Sequence, residues 1–196
     1  YWIDSRGRNT AALVAQDVAS GAKRVLAESP KADIGGAIAN PRTGEVEAYA
    51  VNYLKNEWTP IGSAVAADLE FLEKSLPGEI AVTSRTLADD QWTVAVSSST
   101  APGSTYLYDR KNRRLTKLFD SRPNLTDAPL TPMRPIEIRS RDGKTLVSYL
   151  TLPRSADPDG DGRPNSAVPM VLLVHGGPWA RDAYGYNSYH QWLANR

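Results

Sequence analysis

Cysteine is absent from the 196 residues, which removes disulfides and thiolate chemistry and fits cytosol and periplasm equally well. Charge of one sign is lacking too. The chain carries 23 Lys and Arg against 22 Asp and Glu, and the net charge of +1 offers no basic excess for nucleic acid or an anionic membrane. The longest wholly apolar run, Met170–Val174, falls far short of the ~20 residues that a membrane-spanning helix needs. Histidine is scarce: His175 and His190 share no helical face, so no zinc or other metal site is expected, and no cofactor. Neither an initiator Met nor a leader pattern is present, and Tyr1-Trp-Ile-Asp-Ser5 reads as the middle of a strand. The chain therefore reads as a fragment, with any export signal outside it.

What is present suits a packed core, with 41% hydrophobic and 23% charged residues. Up to about residue 120 short strand patterns dominate. Leu13–Leu26 reads as strand, Ser-Gly turn, strand, and Thr105–Leu118 repeats that layout 92 residues on (Asp17 against Asp109). Between them Asn40–Gly44 is a turn, and Glu45–Val51, Glu79–Ser84 and Trp92–Ser97 are strands. Two units of ~46 residues match the repeat of propeller blades, and an antiparallel sandwich fits the same patterns. One helix interrupts the series: Ser63 is expected to cap it, Val65, Leu69, Leu72 and Leu76 form its packing stripe, and Pro77-Gly78 ends it.

Composition shifts at Asp120–Pro135, where Pro123, Pro129, Pro132 and Pro135 mark a linker or domain crossing. A hairpin about Asp142-Gly143 follows, joining Ile136–Ile138 to Leu146–Leu150. Beyond it lie a polar loop, an apolar strand from Val168 to Val174, a glycine loop and a helix over about Tyr186–Asn195, which together open an α/β arrangement. In the polar loop Asp157, Asp159, Asp161 and Gly162 match the start of a calcium loop. Val168 stands where its bidentate Glu belongs, and a solvated turn-rich loop is the better account. The basic run Arg110–Arg114 reads as a solvated hairpin tip.

The chemistry-bearing segment is Val171–Asp182, VLLVHGGPWARD. Glycines after a buried strand let backbone approach a ligand without a Cβ clash, and backbone N–H groups there can converge on one anionic oxygen. In α/β-hydrolases such a loop supplies one oxyanion-hole donor, and the residue after the nucleophile supplies the other. A serine nucleophile in a Gly-x-Ser-x-Gly elbow, an acid and a His base should then follow in that order, yet no such elbow occurs. His175 belongs to the loop, and His190 lies in the helix after it, ahead of any elbow. No catalytic residue is assigned within these 196 residues.

Pro169–Asp182, with Tyr184-Gly-Tyr186 and Gln191–Arg196, resembles the prolyl oligopeptidase family of serine peptidases, and most closely its acylaminoacyl-peptidase and dipeptidyl-peptidase-like members. Asp90–Trp92, Ser97–Tyr108, Arg141–Gly143 and Leu150–Pro153 extend the resemblance. It implies antiparallel β-propeller blades over residues 1–125 and the N-terminal part of an α/β-hydrolase domain over 126–196. His175, Gly176 and Gly177 would form the oxyanion loop, with the Gly177 amide as donor, and Pro178, Trp179, Arg181 and Asp182 would brace it. The Ser-Asp-His triad would lie beyond Arg196, so the chain alone is expected to be inactive. Short peptides would be the substrates, with the propeller limiting access, and self-association is compatible with the sequence. Two other readings remain open: a carboxylesterase or lipase, which shares the loop, and a non-catalytic propeller that binds protein.

Overall fold

The computed structural model describes residues 1–196 as four antiparallel sheets and two short helices. Strands β1 (Trp2–Asp4), β2 (Ala12–Gln16) and β3 (Lys23–Ala27) make the first sheet, and β4 (Ile34–Ala39), β5 (Val46–Asn52) and β6 (Asn56–Pro60) the second. Helix α1 (Ala66–Ser75) leads into β7 (Glu79–Arg85), β8 (Gln91–Ser97), β9 (Ser104–Asp109) and β10 (Arg114–Asp120), a four-stranded meander. A hairpin of β11 (Met133–Arg139) and β12 (Thr145–Thr151) follows, then helix α2 (Ser188–Ala194). In every sheet each strand pairs only with its neighbours in sequence, as in propeller-like blades. Both hairpins that repeat in sequence form, and each is the last pair of its sheet. No helix is long and apolar enough to cross a membrane.

The strands form where apolar and polar residues alternate. In β8, Trp92, Val94 and Val96 point into the core while their neighbours are less buried, the period of a sheet with one packed face. Their partners are Ile38 and Ala48 of the second sheet, Ile80 and Tyr108 of the third, Leu69 and Leu72 of α1, and Val65 and Leu76 at its two caps. The helix thus fills the space between the second and third sheets with the stripe its sequence displays. Leu72 is fully buried, and cutting it to Ala is worth about 2–5 kcal/mol. Trp58 Nε1 donates across the same seam to the Ile80 carbonyl at 2.8 Å. A smaller core of Leu13, Ala27 and Ile34 joins the first sheet to the second.

Four expectations need correction. Helix α1 begins at Ala66 with Val65 at its N-cap and no side-chain cap, so Ser63 does not cap it. Arg110 Nη2 instead takes the Ala64 carbonyl at 3.0 Å, while Asp68 supplies negative charge to the first turn. The proline-rich crossing is shorter than Asp120–Pro135: β10 runs through Asp120, a 3-10 turn covers Pro123–Leu125 and β11 already starts at Met133. Arg110–Arg114 is not wholly a solvated tip, because the Arg110 side chain folds inward. Finally, Val168–Val174 is not a strand. It is exposed irregular chain, with Leu172 79% accessible. A strand buried on both faces needs hydrogen-bonded neighbours, and β11 and β12 pair only with each other.

Candidate active-site loop

The sequence assigns the oxyanion loop and its bracing to His175–Asp182, and the structure places every one of the assigned residues on the surface. His175, Gly176, Gly177, Pro178, Trp179, Arg181 and Asp182 are all exposed. The His175 ring lies back on its own loop, with Nδ1 2.8 Å from the Gly176 carbonyl oxygen. The amides of His175, Gly176 and Gly177 donate to no acceptor in the chain. The same holds for every amide between Ser166 and Trp179, so the lack of a partner does not by itself mark these three. Gly177 has no left-handed backbone, and a Cβ there would crowd the Trp179 nitrogen at 3.1 Å. Gly176 meets no such crowding.

Beyond the free amides the loop is fastened to the sheets. The Arg181 guanidinium donates to the Asn52 carbonyl, to the Tyr53 carbonyl at 2.7 Å and to the Tyr149 hydroxyl at 3.2 Å. Tyr184 hydroxyl lies 3.2 Å from Ser99 Oγ, and Lys55 Nζ sits 4.3 Å from the centre of the Tyr184 ring. Gly185, at φ 139°, packs so closely on β8 that a Cβ would come within 2.6 Å of Ser97 Oγ. Asn187 caps α2 by accepting from the Tyr189 and His190 amides.

Helix α2 then docks through two polar side chains. Gln191 Oε1 accepts from the Thr131 amide at 2.8 Å, and its Nε2 donates to the Thr131 and Ser99 carbonyls at 2.8 and 3.1 Å. His190 Nδ1 is 2.9 Å from Thr151 Oγ1. Burial lowers the pKa of His190 below its ordinary value, and the opposing pull of Asp182 is the weaker effect. Held by Thr151, the His190 ring on the helix is a docking group.

Tyr184 also borders an open cleft of about 560 Å³ lined by Lys55, Trp58, Glu73, Glu79 and Ser98. Burial pushes Glu73 and Glu79 above the usual carboxylate range, and the charge of nearby Glu57 acts in the same sense. In the polar loop Asp157, Asp159 and Asp161 bring carboxylate oxygens within 4.8 Å of one another. Asp157 already accepts from the Gly162 amide at 3.1 Å, the internal bonding of a tight turn.

Sequence reasoning missed the ionic scaffold that fixes α1 and the third sheet. Asp89 accepts from Arg85 Nε at 2.6 Å, from Trp92 Nε1 at 2.7 Å and from Arg110. Arg85 also pairs with Glu47 at 2.7 Å, and Arg110 with Asp68 at 2.7 Å. Both guanidinium carbons lie 4.7 Å from the Trp92 ring centre, within cation–π range. Burial alone would raise the Asp89 pKa, but the hydrogen bonds of Arg85 and Trp92 and the two Arg charges together hold it below the ordinary value. Arg85, Asp89 and Trp92 share the β7–β8 turn, but Glu47, Asp68 and Arg110 lie far from it in sequence, so only the pairs within the turn were visible as local signals.

No family model matches the chain. It is 58% identical over 196 residues to dipeptidyl aminopeptidase BIII of Pseudoxanthomonas mexicana, covering 100% of this chain and 28% of that protein. It is 34% identical over 215 residues to dipeptidyl peptidase family member 6 of Caenorhabditis elegans, covering 100% of this chain and 29% of that protein. The chain thus spans under a third of the length of the curated relatives it matches. Similarity to proteins so named runs along every residue of the chain and is consistent with the prolyl oligopeptidase family that its His175–Asp182 segment resembles.

Proposed function

We propose that the chain supplies the oxyanion-binding loop of a serine-type peptidase that removes dipeptides from short peptides. The observation that carries this reading is the 58% identity, along all 196 residues, to a protein named dipeptidyl aminopeptidase BIII, together with the His175-Gly-Gly-Pro178 motif on a loop anchored to the sheets a few residues later. Residues 1–125 would be propeller blades, and residues 126–196 would begin an α/β-hydrolase domain whose sheet forms only when further strands pair with Val168–Val174. The Ser, Asp and His of the triad would follow Arg196 in the same polypeptide. The serine would attack the scissile carbonyl, His would take its proton and return it to the leaving amine, and the tetrahedral oxyanion would be received by the Gly177 amide. Loss of one such donor costs about 10²–10³ in rate, because it stabilises charge only in the transition state. The names of the two relatives favour a peptidase over an esterase or a binding propeller.

The test has two arms. The full-length polypeptide should be labelled by a fluorophosphonate probe and should release a chromogenic leaving group from a dipeptidyl substrate, whereas residues 1–196 alone should do neither. Absence of labelling in the full-length protein would refute the serine mechanism. Turnover by the 196-residue chain would refute the placement of the triad beyond Arg196.

A further inference from the structure

The β5–β6 turn points three successive backbone carbonyls, Asn52, Tyr53 and Leu54, at the loop that follows the free amides. Arg181 takes the first two directly. The third is reached through Tyr149, whose hydroxyl donates to the Leu54 carbonyl at 3.2 Å and accepts from Arg181 Nη2 at 3.2 Å. The remaining nitrogen, Nε, donates to the Asp182 carbonyl at 3.1 Å, which folds the guanidinium back over its own backbone. A planar fork with donors on all three nitrogens can span this arrangement, and a lysine ammonium cannot. Tyr184 makes a second attachment on a different sheet, beside Ser99. The loop is thus fixed at two points to two sheets, and the amides that would hold the oxyanion precede the first point by only a few residues.

We propose that Arg181 is a positioning residue, a latch that sets the place of the Gly177 amide by registering the loop against the β5–β6 turn. The proposal rests on the oxyanion role proposed for this loop. It assigns the strand-rich region a part in catalysis beyond limiting access: the β5–β6 turn, more than 120 residues upstream, determines where the oxyanion donor stands. Without Arg181 the Tyr184 attachment persists, so the loop stays near but loses its register. A displacement of about 1 Å at a reacting centre lowers rate by about 10² without abolishing substrate binding.

The experiment compares Arg181→Ala, Arg181→Lys and Tyr149→Phe in the full-length polypeptide. Expected are a fall in kcat of about ten- to a hundredfold for both Arg181 variants, about threefold for Tyr149→Phe, and KM within about threefold throughout. Free guanidinium ion at millimolar concentration should restore part of the kcat of Arg181→Ala and none of that of Arg181→Lys. Amide hydrogen exchange of residues 175–183 should quicken in all three variants, while exchange in β7–β10 stays unchanged. Unaltered exchange in the loop, or faster exchange with kcat kept within twofold, overturns the proposal. Should Arg181→Ala fail to fold, Tyr149→Phe decides it by the same two readouts. Absence of turnover in the unmutated protein would refute the peptidase reading instead, and the exchange comparison alone would then decide the latch.

Discussion

Replacing Asp89 by alanine removes one carboxylate that serves three donors at once: the guanidinium groups of Arg85 and Arg110 and the Trp92 indole N–H. The cations left behind are poorly placed to hydrate, since the Arg85 side chain is only 6% accessible and that of Arg110 21%. Glu47 and Asp68 still balance them one to one, which spares the full cost of an isolated buried charge. Breaking a buried pair by removing one partner costs about 3–5 kcal/mol, and partial exposure of Arg110 argues for the low end. An expected loss of about 3 kcal/mol corresponds to a fall in Tm of about 6–12 °C for a chain of this size. Thermal unfolding followed by tryptophan fluorescence reads it directly, because Trp92 is fully buried at the centre of the network. The exposed pair Glu70–Lys74 on α1 is the internal control. Glu70→Gln should cost about 0.3–0.5 kcal/mol, as exposed i,i+4 pairs do, and shift Tm by no more than about 2 °C. Equal shifts for the two variants would refute the claim that burial, rather than the mere presence of an ion pair, decides the energetics.

Two further outcomes follow from the same geometry. Tyr108→Phe keeps the fully buried ring but removes the hydroxyl that donates to Asp68 at 2.8 Å. A hydrogen bond to a charged acceptor is worth about 1.5–3 kcal/mol, so chemical denaturation should show a lower midpoint with an unchanged m-value, and an unshifted midpoint would count against it. For His190 burial depresses the folded-state pKa, so the unfolded chain binds the proton more readily than the folded one. The docking of α2 is then complete above the ordinary histidine pKa of about 6.5 and weakens as pH falls below it. Protection factors of residues 188–194, taken relative to the intrinsic exchange rate at each pH, should fall between about pH 7.5 and pH 5.5 in the native chain and much less in His190→Gln, whereas higher protection at the lower pH would invert the sign and sink the argument.

Local chemistry and tertiary context divide this protein unevenly. The two repeated hairpins, the hairpin about Asp142-Gly143, the α1 stripe and the strand Trp92–Ser97 were legible, because alternation and turn residues act within a few positions. Strands β4 and β6 were not, since Ile34-Gly-Gly36 and the polar Asn56–Pro60 become strands only by pairing with β5. The cap of α1 was misread because the helix starts at Ala66 behind Val65, two residues beyond Ser63.

The loop shows the division most sharply. Its motif was written in the sequence: His175-Gly-Gly-Pro178 stands in consecutive residues, and the absence of an elbow serine was equally plain. Its anchoring was not. That Arg181 meets the Asn52 and Tyr53 carbonyls, and that Tyr184 meets Ser99, depends on which sheets lie side by side. The apolar run Val168–Val174 teaches the converse, because apolar character makes a strand only where backbone partners exist to pair with it. Sequence alone determined which residues could bear the chemistry and the local patterns of helix and hairpin, since those forces act between near neighbours. Tertiary structure alone decided which charges are buried together and what holds the loop, since those contacts join residues brought close only by packing.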